Sequence, residues 1–216
     1  MFEDVTVIGA GRAGTAIAAR LRERGVSVRE AGELRLLCVP DRAIAEVAGR
    51  IEPGPWVAHV SGATPLAALA PHRRRFSVHP LQTLVRSRGP DQLDGAWAGV
   101  TAEDGDAHAR AIWLAETLGL RPFELADDRR VVYHAGAAIA SNFLVTLYRV
   151  ASGLVAEAGA PPDALVPLMT RTIENGFELT GPIARGDWET VERHREVLRG
   201  TDFEGLYETL LEATRA

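Results

Sequence analysis

The stretch Val5-Thr6-Val7-Ile8-Gly9-Ala10-Gly11-Arg12-Ala13-Gly14-Thr15-Ala16-Ile17-Ala18 decides the fold. Its first four residues are a short β-branched run, which is typical of a buried parallel strand. Three glycines follow in the spacing G-x-G-x-x-G, and an Ala- and Leu-rich helical pattern comes after them. The stretch therefore predicts a strand, a tight turn and a helix, the opening unit of a Rossmann-like, mostly parallel α/β sheet.

The same glycine spacing predicts a dinucleotide site. Gly9 permits the tight turn, Gly11 lets a pyrophosphate approach the backbone, and Gly14 lets the helix pack closely on the strand. The main-chain N–H groups at Arg12 and Ala13, where the helix begins, would face the phosphates. We expect NADP or NAD on this turn; the alternative is a tight strand–helix turn that binds nothing.

Composition excludes several classes of protein. The chain has 216 residues, a net charge of −5 and no basic block, so nucleic acid is not an expected partner. All basic residues are arginine, which excludes a lysine Schiff base or lysine general acid. The single cysteine, Cys38, leaves no disulfide framework and fits a cytoplasmic location. We also expect no signal peptide and no apolar run of membrane-spanning length.

The segment after the first helix is unusually short. Residues 26–28 are predicted to form a second strand and residues 34–39 a third, with only Arg29–Glu33 between them. Parallel strands need a crossover of about a dozen residues. We therefore expect the second strand to pair differently or to lie at a frayed edge.

This short segment is where the adenosine ribose would rest. Glu30 could accept a hydrogen bond from a ribose 2′-OH, which favours NAD, whereas Arg29 or Arg12 could meet a 2′-phosphate, which favours NADP. The alternative is that all three are solvated charges at the sheet edge. Between the two cofactors, NADP is preferred.

Further candidate residues follow the other predicted strands. Ligands of such sheets lie at the carboxyl ends of the strands, so Val39, Pro40 and Ser61 are expected to line the cofactor groove. His79 ends a further strand and faces the same crevice, where it could donate to a carbonyl or carry a proton near neutral pH. The alternative for His79 is a hydrogen bond that only fixes the loop.

A long helix is predicted from Asp127 to about Ala158. His134, Ala138, Ser141 and Asn142 follow one another at spacings that place them within an arc of roughly 80° on one face. The polar members either satisfy one another and a neighbouring loop or face a ligand. His134 and Asn142 are too far apart to form a contacting dyad, but could bracket a substrate.

Two domains follow from the change of pattern. A Rossmann-like domain is expected over residues 1–127 and a helical domain over 128–216, with one of its helices running from Pro161 to Leu179. No histidine pair has metal-ligand spacing with a third ligand nearby, so no metal is predicted.

Several motifs in this order resemble the family of Rossmann-like proteins that carry a DUF2520 domain. The motifs are Gly9–Gly14, Val39-Pro40-Asp41, His59–Gly62, His79–Thr83, Tyr133-His134 through Ser141-Asn142, and Thr180–Asp187. The resemblance implies a distant relationship to pyrroline-5-carboxylate reductase, ketopantoate reductase and the 6-phosphogluconate and β-hydroxyacid dehydrogenases. It also implies a homodimer formed through the helical domain.

The resemblance implies an NAD(P)-dependent oxidoreductase that transfers a hydride to or from a small carbonyl, imine or hydroxy compound bound between the domains. His79 or His134 would donate a proton or orient the substrate, and Asn142 would position a substrate oxygen. One departure concerns the catalytic lysine of the β-hydroxyacid dehydrogenases, whose position is occupied by Ala138. With the shortened ribose segment, this departure favours the alternative of a non-catalytic nucleotide-binding or sensing protein.

Overall fold

A single sheet organises the amino-terminal part of the chain. The computed structural model describes residues 1–215, so Ala216, the last residue of the predicted helical domain, lies outside the description. Within these residues the strands are β1 Asp4–Ile8, β2 Ser27–Val28, β3 Leu34–Leu37, β4 Trp56–His59, β5 Arg75–Pro80, β6 Trp97–Ala102 and β7 Arg121–Glu124. Their order is β2-β1-β3-β4-β5-β6-β7, and every neighbouring pair is parallel except β5 and β6. The predicted mostly parallel α/β fold is confirmed.

Helices cover both faces of this sheet. On one face, Ile17 and Leu21 of α1 (Arg12–Glu23) and Leu114 of α3 (Gly105–Thr117) belong to one buried cluster. On the other, Ile44 of α2 (Ile44–Gly49) packs in a second cluster with Leu37. Successive side chains of a strand point to opposite faces, so a sheet covered twice needs apolar residues at consecutive positions. This explains the unbroken apolar runs in the sequence.

The passage from β2 to β3 takes only residues 29–33. β2 lies at the sheet edge and pairs in parallel with Asp4 and Val5 of β1, while β3 pairs with β1 on its other side. The connection crosses β1 without a helix, and the backbone N–H of Gly32 donates to Thr6 Oγ1 at 2.8 Å. A Cβ at Gly32 would lie 2.8 Å from backbone atoms of Val5 and Thr6. Of the two expected alternatives, the edge position is the one observed.

The rest of the described chain is helical. Its helices are α4 Arg130–Ala138, α5 Leu144–Glu157, α6 Leu165–Glu174, α7 Gly181–Arg185, α8 Trp188–Leu198 and α9 Glu204–Arg215. A π-helical turn, Ile139–Phe143, joins α4 to α5. The helix expected to reach Leu179 ends instead at Glu174, because Gly176 and Phe177 adopt left-handed backbone angles, with φ of 69° and 62°.

The helical run Asp127–Glu157 is long and apolar. It has 31 residues, a mean hydropathy of 1.4 in its most apolar window, and none of that window is buried within the chain. By length and composition alone it could cross a membrane, so the expectation that no apolar run reaches that length is wrong. A single helix of this kind is a weak indication, because core helices pass the same test.

The chain divides into two compact units, residues 1–141 and residues from 142 onward. The first contains the sheet and α1 to α4, and the second contains α5 to α9. This division falls within the π-helical turn, whereas the sequence predicted a boundary after residue 127. The boundary at residue 127 stays a prediction.

Candidate functional site

The glycine turn between β1 and α1 is sterically determined. Gly9 has φ of +118°, and a Cβ on it would lie 2.4 Å from the carbonyl oxygen of Cys38. A Cβ on Gly14 would lie 1.9 Å from the carbonyl oxygen of Gly9. Both contacts are far shorter than a van der Waals separation, so only glycine fits at these two positions.

Gly11 differs from the other two glycines. A Cβ on it would meet nothing within 4 Å, so the space beside its backbone is open. Gly11 is also the N-cap of α1, which has neither a side-chain cap nor an acidic residue in its first turn. Amide N–H groups at such a helix start favour an anion. The turn therefore fits a pyrophosphate, which a side chain at residue 11 would displace.

Cationic side chains flank this turn. Arg12 is exposed and Ala13 is half-buried in the first turn of α1. Arg86, which the sequence analysis missed, donates from Nη2 to the carbonyl oxygen of Ala10 at 3.3 Å. Arg29 instead forms an ion pair with Asp4 at the start of β1, at the end of that strand remote from the glycine turn.

The remaining predicted groove residues lie beyond the ends of β3 and β4. Val39 is half-buried, with Cγ1 3.3 Å from the Cβ position of Gly9, and Pro40 is exposed. The Ser61 hydroxyl accepts from the backbone N–H groups of Ala63 and Thr64, at 3.2 and 3.0 Å. Ser61 thus shapes its own turn, and its role towards a cofactor stays a prediction.

Two histidines meet at the ends of β4 and β5. His79 in β5 and His134 in α4 have ring centroids 6.0 Å apart, at an interplanar angle of 70°. Gly62 lies against both rings, because a Cβ on it would be 2.6 Å from His134 Cδ2 and 2.8 Å from His79 Cε1. The structure therefore brings together the two histidines that the sequence predicted, and it adds a glycine that makes their approach possible.

Tyr133 completes this cluster, and the sequence analysis had assigned it no role. Its hydroxyl lies 2.8 Å from His79 Nδ1. Phe123 stacks edge-on against Tyr133 at 5.8 Å between centroids. The adjacent motif Tyr133-His134 was the available signal, but only the fold shows that both side chains reach the same histidine.

The charge state of the cluster follows from its burial. Desolvation, with smaller effects of His134 and Arg130, lowers the pKa of His79 to about 4, against a small opposing effect of Asp41. Desolvation raises the pKa of Tyr133 to about 12. At neutral pH both side chains are therefore uncharged. Of the two roles expected for His79, the lowered pKa favours hydrogen bonding over carrying a proton near neutral pH.

His59 lies beneath the cluster as a core residue. It is fully buried in β4, and its Nδ1 accepts from the backbone N–H of Ser61 at 3.2 Å. Desolvation and the positive charge of Arg130 lower the pKa of His59 to about 3. His59 is thus, like the half-buried His79, a neutral imidazole close to the charge of Arg130.

Asn142 belongs to the second unit and lies in the π-helical turn Ile139–Phe143. The expected shared face of His134, Ser141 and Asn142 assumed a uniform α-helical rotation per residue. A π turn breaks that rotation, so the assumption fails for the residues within and after the turn. The proposed role of Asn142 stays a prediction.

No metal cluster is found among residues 1–215: no group of three or more His, Cys, Asp and Glu side chains there is placed to hold an ion.

Comparison with known families identifies the chain. The sequence model of DUF2520, described as a domain of unknown function, matches residues 96–214. The chain belongs to the DUF2520 family. The match begins near the start of β6, so the family region includes part of the sheet and is not confined to the helices expected over residues 128–216. No curated protein sequence matches the chain.

Solved structures share this DUF2520 protein's fold. BF3122 from Bacteroides fragilis, whose description proposes an NADP oxidoreductase, is 23% identical, with a TM-score of 0.83 over 99% of this chain and 98% of that one. Protein TM1727 from Thermotoga maritima is 22% identical, with a TM-score of 0.77 and coverages of 98% and 96%. The 1-pyrroline-5-carboxylate reductase of Streptococcus pyogenes is 13% identical, with a TM-score of 0.64 and 98% coverage of both chains. At these identities the likeness establishes the fold.

Proposed function

We propose that this DUF2520 protein is an NAD(P)-dependent oxidoreductase that acts on a small carbonyl, imine or hydroxy compound. One observation carries the proposal: Gly9 and Gly14 are sterically required, whereas Gly11 faces open space at the start of α1. A turn that needed glycine only for its own packing would not need it at residue 11. The fold shared with BF3122, whose description proposes an NADP oxidoreductase, supports the same cofactor class.

When bound, the nicotinamide supplies or accepts the hydride; the chain's own residues bind and orient the reactant. In this proposal the Tyr133 phenol, which stays protonated, donates its O–H to His79 Nδ1 and leaves the imidazole proton on Nε2. That Nε2–H is the group proposed to hold the substrate oxygen. His134 is exposed and is proposed to exchange the proton with solvent, while Asn142 is proposed to position a substrate oxygen.

NADP remains the preferred cofactor in this proposal. Arg29 forms an ion pair with Asp4. The exposed Arg12 therefore remains as the predicted partner of a 2′-phosphate. Arg86 adds a second guanidinium beside the glycine turn. Two arginines near one phosphate-binding turn favour the more anionic dinucleotide.

A binding titration tests the cofactor assignment. NADPH and NADH are titrated while the fluorescence of the four tryptophans is followed. We expect NADPH to bind more tightly than NADH, and Gly11→Ala to weaken binding at least about tenfold, a loss of about 1.4 kcal/mol. Gly105→Ala, which also introduces a Cβ into open space, is the matched control and retains binding. Failure of both dinucleotides to bind at millimolar concentration rejects the proposal.

The second candidate is a non-catalytic nucleotide-binding or sensing protein. The short passage over residues 29–33 favours it, because β2 ends level with Val5 and provides little wall for an adenosine ribose. His134→Ala separates the candidates. An oxidoreductase loses turnover on keto acids, imines or hydroxy acids while it keeps NADPH binding. A sensor binds NADPH and turns over none of these compounds in either form.

We further propose that the protein is a homodimer formed through its helical unit. Several large apolar side chains of α5, α6 and the loop after α6 are exposed: Leu144, Val145, Val166, Leu168, Ile173, Phe177 and Leu179. A surface of this kind marks an interaction site, and a second copy carries the same apolar surface. Light scattering after gel filtration should show a dimer, which Leu168→Asp converts to a monomer. Val197→Asp changes an equally apolar, exposed residue on α8 and should remain dimeric; a monomeric parent protein refutes the proposal.

A further inference from the structure

Arg130 is the largest fully buried side chain of the described residues. It is the first residue of α4, and its Nη1 donates to Ser77 Oγ of β5 and to Thr101 Oγ1 of β6, each at 2.7 Å. Its Nη2 donates to the carbonyl oxygen of Ser61, beyond β4. One guanidinium therefore joins the start of α4 to three adjacent strands.

These partners do not neutralise the charge. All three acceptors are uncharged, and the nearest carboxylate oxygen, Asp127 Oδ1, is 4.0 Å from Nε. Asp127 itself accepts from the backbone N–H of Leu66, at 3.0 and 3.2 Å. A buried charge without a close counter-ion is costly, whereas an apolar side chain would attach a helix to a sheet without that cost. The position of a cation at this point therefore needs an explanation.

The geometry around Arg130 provides one. Tyr133 and His134 follow it by three and four residues, so all three side chains share one face of α4. On β5, His79 follows Ser77 by two residues and points to the same face of the sheet. The contact of Arg130 with Ser77 and the 2.8 Å contact of Tyr133 with His79 Nδ1 are thus two successive links between the same helix and the same strand.

We propose that Arg130 is a positioning residue whose buried guanidinium fixes α4 against β5, so that Tyr133 meets His79 Nδ1. The inference rests on the proposed function in one respect: that function makes the His79–Tyr133 pair the group that orients the substrate. The charged and titratable groups around His79 are His134 and Tyr133 on α4, Arg130, Asp41 after β3, and His59 on β4. Among them, Arg130 is the cation that lowers the pKa of both His59 and His79.

Imidazole ¹⁵N NMR on the full chain without cofactor tests this assignment, with His79 identified by the signal lost in His79→Asn. In the parent protein, His79 should titrate near pH 4 as a single Nε2–H tautomer. Arg130→Gln should mix the tautomers of His79 and raise its pKa, which burial and His134 would still lower. Arg130→Lys keeps the charge but loses the forked contacts, so it should mix the tautomers while the pKa stays low. A folded Arg130→Gln protein with both signals unchanged overturns the proposal.

Two further variants keep the test decisive. Arg20→Gln changes another buried arginine, which binds the carbonyl oxygen of Pro90 and Asp94 Oδ2 at 2.8 Å, and it should leave His79 unchanged. If Arg130→Gln does not fold, Ser77→Ala removes one acceptor and leaves the charge in place. It should shift the His79 tautomer ratio, and an unchanged ratio refutes the positioning role. Since these signals are read without NADPH, a failure of the proposed cofactor binding is seen separately in the fluorescence titration.

Discussion

The two units of this DUF2520 protein differ in how much of their side chains they bury. In the first, both hydrophobic clusters are enclosed, and even Arg130 and His59 are fully buried. In the second, the apolar side chains buried among the described residues are Val191, Leu198 and Leu211, while ion pairs such as Arg195–Glu208 lie at the surface. The first unit therefore has little room for change, whereas the helices α5 and α6 of the second expose large apolar side chains.

Glycine-to-alanine substitutions should give the largest difference in the free energy of unfolding between the two units. Gly14→Ala places a Cβ 1.9 Å from the Gly9 carbonyl oxygen, so we expect a loss of about 3 kcal/mol or more in the free energy of unfolding. Gly153→Ala, in α5 of the second unit, meets nothing within 4 Å and should gain up to about 1 kcal/mol. Urea denaturation measures both values. Equal stability of the two variants would contradict the contrast.

Acid should reveal the buried histidines of the first unit. Unfolded His79 and His59 take up protons near pH 6.5, whereas the folded rings, with pKa values of about 4 and 3, do not. Stability is therefore fully present above pH 6.5 and falls as the pH drops towards 4, by up to about 3 kcal/mol per pH unit for the two rings. His59→Asn retains an acceptor for the Ser61 N–H and should about halve this slope, measured by urea denaturation at several pH values.

The second unit should respond in a different pH range. Hydrogen bonding and the charge of Arg195 lower the pKa of Glu208 from its usual 4.5, so its contribution is lost only as the pH falls below that value. Glu208→Gln should accordingly leave the pH dependence of the free energy of unfolding unchanged between pH 6.5 and 5. A change in that range would show that the acid response is not confined to the first unit.

An effect smaller than that of Gly14→Ala is expected at a backbone angle of the second unit. Phe177 has φ of 62°, which disfavours any residue with a Cβ. Phe177→Gly should be about 1 kcal/mol more stable than Phe177→Ala; both variants remove the exposed ring, so their difference isolates the backbone. Thermal unfolding measures it, and equal midpoints would disprove the strain.

The sequence predicted the sheet and its first turn because these depend on local patterns. Two such patterns are the consecutive apolar residues Leu36 and Leu37 and the spacing of Gly9 and Gly14. Each pattern involves residues only a few positions apart in the sequence. The contact of His79 with Tyr133 joins residues 54 positions apart, and no local pattern indicates it. The contact depends instead on which side of α4 packs against β5.

The neighbouring residues Arg129 and Arg130 illustrate the same limit. In the sequence they are two charges at the start of a helix, with similar prospects of solvation. In the fold, Arg129 is exposed, whereas Arg130 meets Ser77 and Thr101 and is buried. The rotation of α4 about its axis selects between them. The π-helical turn Ile139–Phe143 escaped prediction for a related reason, since no glycine or proline lies within it.

The short attachment of β2 has a consequence for motion. Two residues pair this strand with β1, so the sheet border can separate there at a lower free energy than elsewhere, and its amides should be the first of the sheet to exchange hydrogen for deuterium. A nucleotide bound against this edge would have its phosphates on a rigid turn and its adenine beside the less stable strand β2. A dinucleotide that covers this edge would then slow exchange of the Ser27 and Arg29 amides, which donate to the carbonyl oxygens of Glu3 and Val5.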